Sequence, residues 1–151
     1  MPRPMTASLW VTSAILILAA GSSAAQERHY FTPQPASDTA TRPFSGAVLV
    51  GNTLYLSGTI GLLPGPNVPD TPAEEARLVL ENVKKALADA GMTMDDLVSV
   101  QVFCSDLSLY ADFNKVYRAY FTKEYPTRAF LGVAHVLFGA RFEVQAIAVK
   151  R

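Results

Sequence analysis

Two charged residues stand in otherwise apolar stretches near the C-terminus of this 151-residue chain. Arg128 lies in YPTRAFLGVAHV (residues 125–136), and Glu143 lies in FEVQAIAV (residues 142–149). A planar guanidinium can hold a carboxylate through two parallel charge-assisted hydrogen bonds, which a lysine cannot imitate. A carboxylate can take a proton from an attacking water and later return one to a leaving group. Taken alone, each residue is more simply explained as a solvated charge at a strand edge or on an outer strand face.

Other kinds of site find little support in the sequence. The two histidines, His29 and His135, are far apart and have no cysteine or carboxylate at ligand spacing, so we predict no metal site. Cys104 is the only cysteine, which excludes an intrachain disulfide. Basic and acidic residues balance at 13 each, which leaves no electrostatic footprint for nucleic acid or an anionic membrane. A small-molecule ligand is therefore expected.

The first 25 residues have the pattern of a secretory signal peptide. A short basic start precedes an apolar run at residues 9–20, and small residues lead to a cleavage point before Gln26. The run is shorter than the roughly 20 residues that span a bilayer, although an uncleaved N-terminal anchor is the alternative. We expect residues 26–41 to hold a short strand and a lead-in, and residues 42–151 to form one exported domain, periplasmic or secreted, that leaves the membrane after cleavage.

The clearest helix in the chain begins at a capping sequence. Thr71 is a suitable N-cap, Pro72 suits the first helical position, and Glu74 completes a Thr-x-x-Glu capping box. Apolar residues then recur at alternating steps of four and three, which predicts one buried stripe: Ala76, Leu80, Val83, Leu87 and Ala90. Gly91 supplies a left-handed C-cap.

The remaining segments predict strands and a second helix. Gly51-Asn52 separates two apolar runs at a hairpin position, and a second helix is expected from about residue 109 to residue 123. A strand before that helix should place one set of side chains on one side: Val98, Val100, Val102 and Cys104. The order β-β-β-α-β-α-β-β predicts an α+β fold in which two helices cover one face of a mixed six-stranded sheet. The other face is also apolar, so we expect self-association.

The ordered blocks of this sequence resemble the RidA (YjgF/YER057c/UK114) family from about residue 42 to residue 149. The blocks are RPFSGAVLVGNTLYLSGTIGL, ARLVLENVKKALADAGMTMDDLVSVQVFCSDLSLYADFNKVYRAYF, YPTRAFLGVA and FEVQAIAV. The resemblance implies a chorismate-mutase-like fold and a homotrimer with clefts between subunits. It also implies hydrolysis of imines or enamines of 2-amino acids to 2-keto acids and ammonia. No cofactor is expected, because a protonated imine is already electrophilic.

The resemblance also assigns roles to particular residues. Arg128 matches the arginine that grips the substrate carboxylate, and Glu143 matches the carboxylate that activates water. Ser57 and Gly58 match a pair that lines the cleft, although a strand that ends at a glycine turn explains them equally well. Asn114 matches an asparagine that hydrogen-bonds across the subunit boundary, and its alternative is an ordinary exposed polar residue.

Several positions depart from the pattern of the family. Phe44 keeps the ring of the usual tyrosine without its hydroxyl, and Thr59 replaces a longer glutamine. Phe130 stands two residues after Arg128, where a small residue is usual, and Gln145 stands where a second glutamate is common. We therefore expect Phe44, Thr59 and Phe130 to shape the substrate pocket. These departures leave the identity of the substrate open.

Three functions compete at this level. The first is an enamine/imine deaminase in which Arg128 anchors the carboxylate and Glu143 activates water. The second is a non-catalytic trimer of the same fold that binds a small carboxylate. The third is a structural protein, against which both charged residues count, because an unused cleft has no need for a buried guanidinium.

Overall fold

The computed structural model describes residues 26–31 and 43–151. The predicted signal peptide and most of the lead-in lie outside these ranges, so cleavage and export stay predictions. No helix within the described ranges has the length and apolarity that a bilayer crossing requires.

A single mixed sheet of six strands forms the centre of the molecule, in the order β1-β2-β3-β6-β4-β5. Strands β4 and β5 are parallel, and all other neighbouring pairs are antiparallel. The strands are β1 (Arg28–Phe31), β2 (Ala47–Val50), β3 (Thr53–Ile60), β4 (Leu97–Cys104), β5 (Thr127–Gly132) and β6 (Phe142–Val149). The predicted mixed six-stranded α+β fold is confirmed.

Two helices, α1 (Pro72–Asp89) and α2 (Tyr110–Tyr117), pack on one face of this sheet. Short 3₁₀ turns extend α2 on both sides, Leu107–Leu109 before it and Arg118–Tyr120 after it. The helical segment therefore begins two residues earlier than predicted and ends before residue 123. Asp106 caps its start by accepting a hydrogen bond from the backbone N–H of Ser108 at 2.9 Å.

The start of α1 has the predicted N-cap, but the Glu74 side chain makes no hydrogen bond back to Thr71 in the described ranges, so the predicted capping box is only half formed. Thr71 has extended backbone angles, and its Oγ1 accepts a hydrogen bond from the backbone N–H of Glu74 at 3.2 Å. Gly91 has a φ of +69°, which is the left-handed conformation that a helix C-cap favours. Four members of the predicted stripe are buried against the sheet: Ala76, Leu80, Val83 and Leu87. Its last member, Ala90, is half-buried.

The side chains of strand β4 depart from simple alternation between the two faces near the start of the strand. Its register against β6 shifts between Leu97 and Ser99, which is the mark of a bulge. Leu97 is buried as a result, whereas Val98 is exposed. The expectation that Val98 shares a side with Val100 is therefore wrong, because a bulge inverts the alternation at one residue.

The two faces of the sheet differ in what covers them. The helix-side face carries the buried residues of β6, which are Phe142, Val144, Ala146 and Ala148. The opposite face, called the open face below, has no helix packed on it in the described protomer. It carries apolar side chains from several strands, all exposed or half-buried: Tyr30, Val48, Tyr55, Phe103, Leu131 and Ile147.

Candidate functional site

Arg128 lies on the edge strand β5, opposite Val100 of β4. Because Val100 is buried under the helices, this register places Arg128 on the helix-side face. Its Nη2 donates a hydrogen bond to Oδ1 of Asn114 on α2 at 2.7 Å. The structure therefore brings together two predicted site residues from different elements, and the asparagine fixes one side of the guanidinium.

Three aromatic rings surround the Arg128 guanidinium. Its Cζ lies 4.6 Å from the ring centre of Tyr117 and 5.8 Å from those of Tyr110 and Phe130. Phe130 packs edge-on against Tyr110 at 5.0 Å and against Phe113 at 5.5 Å. These ring faces attract the cation and keep water from part of it.

No carboxylate within the described ranges lies within 4.0 Å of the Arg128 guanidinium. A half-buried cation that is ringed by aromatics and lacks a fixed counter-ion is suited to receive an anion. We call the group formed by Arg128, Asn114, Tyr110, Tyr117 and Phe130 the anion half-site.

The two tyrosines of the anion half-site differ in the acidity of their hydroxyls. Hydrogen bonding with the Asn114 side chain and the charge of Arg128 lower the pKa of Tyr110. Burial raises the pKa of Tyr117 to about 12, although the charge of Arg128 works in the opposite direction. The Tyr117 hydroxyl is buried without a hydrogen-bond partner in the described part of the chain.

Glu143 lies on β6, opposite Ile60 of β3 and Phe103 of β4. Its neighbours along the strand are buried on the helix side, so Glu143 points to the open face. A Cβ built on Gly58 would collide with Oε1 of Glu143 and stand 2.9 Å from its Cδ. A glycine at this position therefore lets the carboxylate rest against the backbone of β3.

A bulge in β3 brings the other predicted residues around Glu143. The register against β6 shifts between Leu56 and Thr59, which sets Ser57 and Gly58 out of the regular ladder. The Ser57 hydroxyl donates to the backbone oxygen of Ser45 at 2.6 Å, which ties this bulge to the segment before β2. The residues of this second group share one cavity of about 570 Å³ and are called the carboxylate half-site: Phe44, Ser57, Gly58, Thr59 and Glu143.

Leu137 and Phe138 also line this cavity, and sequence reasoning did not include them. Both are exposed, and Phe138 has a φ of +58°, which a bulky residue adopts rarely. Two large apolar residues in a short connection between strands are a signal that could have indicated them. They give the carboxylate half-site an apolar wall.

A second carboxylate, that of Glu75, holds the start of β6 in place. Glu75, in the first turn of α1, is 0 % exposed and accepts hydrogen bonds from the backbone N–H groups of Arg141 at 2.5 Å and Phe142 at 2.9 Å. It also accepts one from Nη1 of Arg141 at 2.8 Å. The strand that carries Glu143 is thus fixed at its first residues. Nothing in the sequence indicates this role, because acidic residues in a first helical turn are usually exposed.

Arg128 and Glu143 point to opposite faces of the same sheet. The cavity beside Glu143 also reaches Thr59, which lies opposite the buried Val144, and Asn82 and Lys85 of α1. One protomer therefore assembles each group of predicted residues but does not bring Arg128 and Glu143 together. A site that uses both residues requires the anion half-site of one copy and the carboxylate half-site of another.

The mixed six-stranded sheet with two helices on one face defines an α+β protein of chorismate-mutase-like fold. The family model for endoribonuclease L-PSP matches residues 35–150. The chain is 40% identical over 113 residues to the 2-iminobutanoate/2-iminopropanoate deaminase of Bos taurus, which covers 74% of this chain and 82% of the relative. This protein therefore belongs to the endoribonuclease L-PSP family, which is the RidA/YjgF family.

Solved structures agree with this assignment. The crystal structure of the yjgF gene product of E. coli superposes with a TM-score of 0.70 at 36% identity and covers 74% of this chain and 91% of its own. E. coli TdcF with bound serine gives a TM-score of 0.70 at 34% identity, with the same two coverages of 74% and 91%. The predicted chorismate-mutase-like fold is thus confirmed.

Proposed function

We propose that this protein is a hydrolytic deaminase of small 2-imino or enamine acids, which it converts to 2-keto acids and ammonia. The observation that carries the proposal is the guanidinium of Arg128, which is aimed by Asn114 and by aromatic rings and has no carboxylate partner in the described ranges. The relative from Bos taurus that is named a 2-iminobutanoate/2-iminopropanoate deaminase supports the choice of substrate class.

The chemistry divides between the two half-sites. Arg128 holds the substrate carboxylate through its remaining N–H donors and so places the C=N carbon near Glu143. Glu143 takes a proton from water as the water oxygen bonds to that carbon, which gives a tetrahedral carbinolamine. The proton passes to the nitrogen, the C–N bond breaks, and ammonia leaves as the hydroxyl loses its proton and becomes the keto group.

The proposal requires more than one copy of the chain. Arg128 and Glu143 occupy opposite faces, so the reacting carbon can meet both only in a cleft between protomers. The apolar open face supplies the surface for that association. We propose a homotrimer, in which each cleft pairs the anion half-site of one protomer with the carboxylate half-site of the next.

A second function has its own supporting observation. Phe130 packs tightly between Tyr110 and Phe113 beside Arg128, and Phe44 brings a ring without a hydroxyl to the carboxylate half-site. Such a cleft could hold a small carboxylate without turning it over.

The direct test generates 2-iminobutanoate with an amino-acid oxidase and traps the remaining imine with semicarbazide. We expect the wild type to accelerate imine loss, Arg128→Ala to raise KM roughly a hundredfold, and Glu143→Gln to lower kcat by about 10² to 10⁴ with little change in binding. Arg77→Ala and Glu124→Gln are matched controls on exposed side chains and should leave both constants unchanged. If wild type and Arg128→Ala had the same KM and kcat, the deaminase proposal would be wrong.

Mixing the two impaired variants, assayed at a substrate concentration well below the KM of Arg128→Ala, tests the shared cleft. When Arg128→Ala and Glu143→Gln chains are unfolded and refolded together, about one cleft in four in a random trimer combines an intact arginine with an intact glutamate. Activity should therefore return to about a quarter of wild type. A site confined to one protomer would give no recovery.

A further inference from the structure

Tyr110 is the residue of the anion half-site that the proposed function leaves without a role. It lies one helical turn before Asn114 on α2, so the two side chains leave the helix on the same side. Both line a shallow concavity of about 400 Å³. The Tyr110 ring is held in place by Phe130, with which it makes an edge-to-face contact at 5.0 Å between ring centres.

The three rings around Arg128 differ in whether they carry a hydroxyl that solvent can reach. Phe130 has none, and the hydroxyl of Tyr117 is buried, since that residue is 4 % exposed. Tyr110 is 48 % exposed and keeps its ring centre 5.8 Å from the Arg128 Cζ. Of these three rings, only that of Tyr110 combines a hydroxyl, access to solvent and closeness to the cation.

The hydrogen-bond partners of Asn114 determine which way the Tyr110 hydroxyl can donate. The Oδ1 of Asn114 accepts from Arg128 at 2.7 Å, and its amide nitrogen has hydrogens that can be donated to the phenol oxygen of Tyr110. A nitrogen that donates to the phenol oxygen leaves the phenol hydrogen free. The lowered pKa of Tyr110, caused by Asn114 and by Arg128, agrees with a hydroxyl that is a strong donor.

Among the side chains of the carboxylate half-site, Thr59 keeps a hydroxyl, whereas Ser57 and Phe44 offer no free donor. The Ser57 hydroxyl donates to the Ser45 backbone oxygen at 2.6 Å, and Phe44 has no hydroxyl. On the side of α2, a carboxylate that reaches Arg128 meets the exposed hydroxyl of Tyr110.

We propose that Tyr110 is a substrate-binding residue whose hydroxyl donates a hydrogen bond to the carboxylate held by Arg128. This inference rests on the carboxylate-binding part of the proposed function and adds a third donor to the guanidinium fork. Such a carboxylate has about four acceptor positions, so one oxygen can take a bond from Arg128 and another from Tyr110.

The test is Tyr110→Phe, which removes one oxygen atom and keeps the ring that packs on Phe130 and Arg128. The KM for 2-iminobutanoate should rise about tenfold with kcat nearly unchanged, because a hydrogen bond to a charged group is lost. The dissociation constant of the unreactive product 2-oxobutanoate, measured by calorimetry, should rise by a similar factor. Tyr125→Phe is the matched control, since it removes an exposed hydroxyl from a nearby ring and should change neither value.

The two measurements separate this inference from the proposed function. If the wild type turns over imine and Tyr110→Phe matches it in both constants, the role of Tyr110 is wrong and the deaminase stands. If the wild type binds 2-oxobutanoate without turnover and Tyr110→Phe weakens that binding, the role of Tyr110 stands and the deaminase falls. A wild type that neither binds nor reacts overturns both.

Discussion

The guanidinium of Arg128 is held by rings and one amide rather than by a carboxylate. This arrangement leaves a positive charge partly removed from water, which costs free energy unless an anion arrives. The sequence drew attention to Arg128 because a charge stood in an apolar strand. It could not indicate Tyr110 or Tyr117, because their positions on α2 fit an ordinary helix with one buried face.

Tyr117 carries a prediction about stability. Its hydroxyl is buried without a partner in the described ranges, so Tyr117→Phe should raise the free energy of unfolding by about 1 kcal/mol at pH 7. The ring that packs on Arg128 is kept. Urea unfolding measures the change, with Tyr125→Phe as an exposed control that should shift it by less than about 0.5 kcal/mol.

The same variant should also change how stability depends on pH. The pKa of Tyr117 is raised to about 12 in the folded protein, whereas a tyrosine in an unfolded chain ionises near pH 10. The unfolded state therefore loses this proton first, and wild-type stability falls as the pH rises through this window. Tyr117→Phe lacks this loss, so its advantage should widen above about pH 10. A constant or shrinking advantage would contradict the burial of the hydroxyl.

At the scale of elements, strong local patterns predicted well and irregularities did not. The capping residues and apolar stripe fixed α1 to within a residue or so, because each local preference agreed with the packing. The β4 bulge that exposes Val98 has no local signature, since β-branched residues suit regular and bulged strands alike. The predicted site residues clustered as two groups, but the side of the sheet on which each group lies depends on strand order, which a single strand does not encode.

The contact of α1 with β6 gives a prediction for the element that carries Glu143. Glu75→Gln keeps an oxygen for the two backbone N–H groups but replaces the ion pair with Arg141 by two facing donors. We expect the free energy of unfolding to fall by about 3 kcal/mol, because one member of a buried pair is lost. Urea unfolding measures this change.

Glu74→Gln is the neighbouring control for Glu75→Gln. Glu74 lies in the same helical turn without a side-chain partner in the described ranges, and its effect should stay below about 1 kcal/mol. The kcat of Glu75→Gln, measured on protein that remains folded, should also fall, since the start of β6 sets the position of Glu143. Equal stability for both variants would show that Glu75 does not anchor the strand.

At the scale of the whole molecule, the sheet determines what a single chain can do. Its helix-side face is covered and holds the anion half-site at one edge. Its open face is apolar, is not covered by a helix in the described protomer, and holds Glu143. Association through the open face would bury this apolar surface and would bring unlike half-sites of neighbouring protomers together. The proposed trimer therefore makes assembly and deaminase activity depend on the same surface.

Tyr55→Glu tests this coupling. Tyr55 is 49 % exposed on the open face, between Val48 of β2 and Ile147 of β6. A charge there stays in water in an isolated protomer but would be buried between copies, so the variant should remain folded and lose association. Analytical ultracentrifugation should give three times the chain mass for the wild type and the mass of one chain for the variant. The variant should have no deaminase activity, because its half-sites no longer meet.

Ala88→Glu is the control for Tyr55→Glu, since it places the same charge on the exposed surface of α1 and should leave both mass and activity unchanged. Circular dichroism should show the wild-type fold in both variants. A monomeric Tyr55→Glu protein with wild-type kcat would mean that one protomer completes the site alone. A wild type that sediments as a single chain would contradict the association itself, and with it the pairing of Arg128 and Glu143.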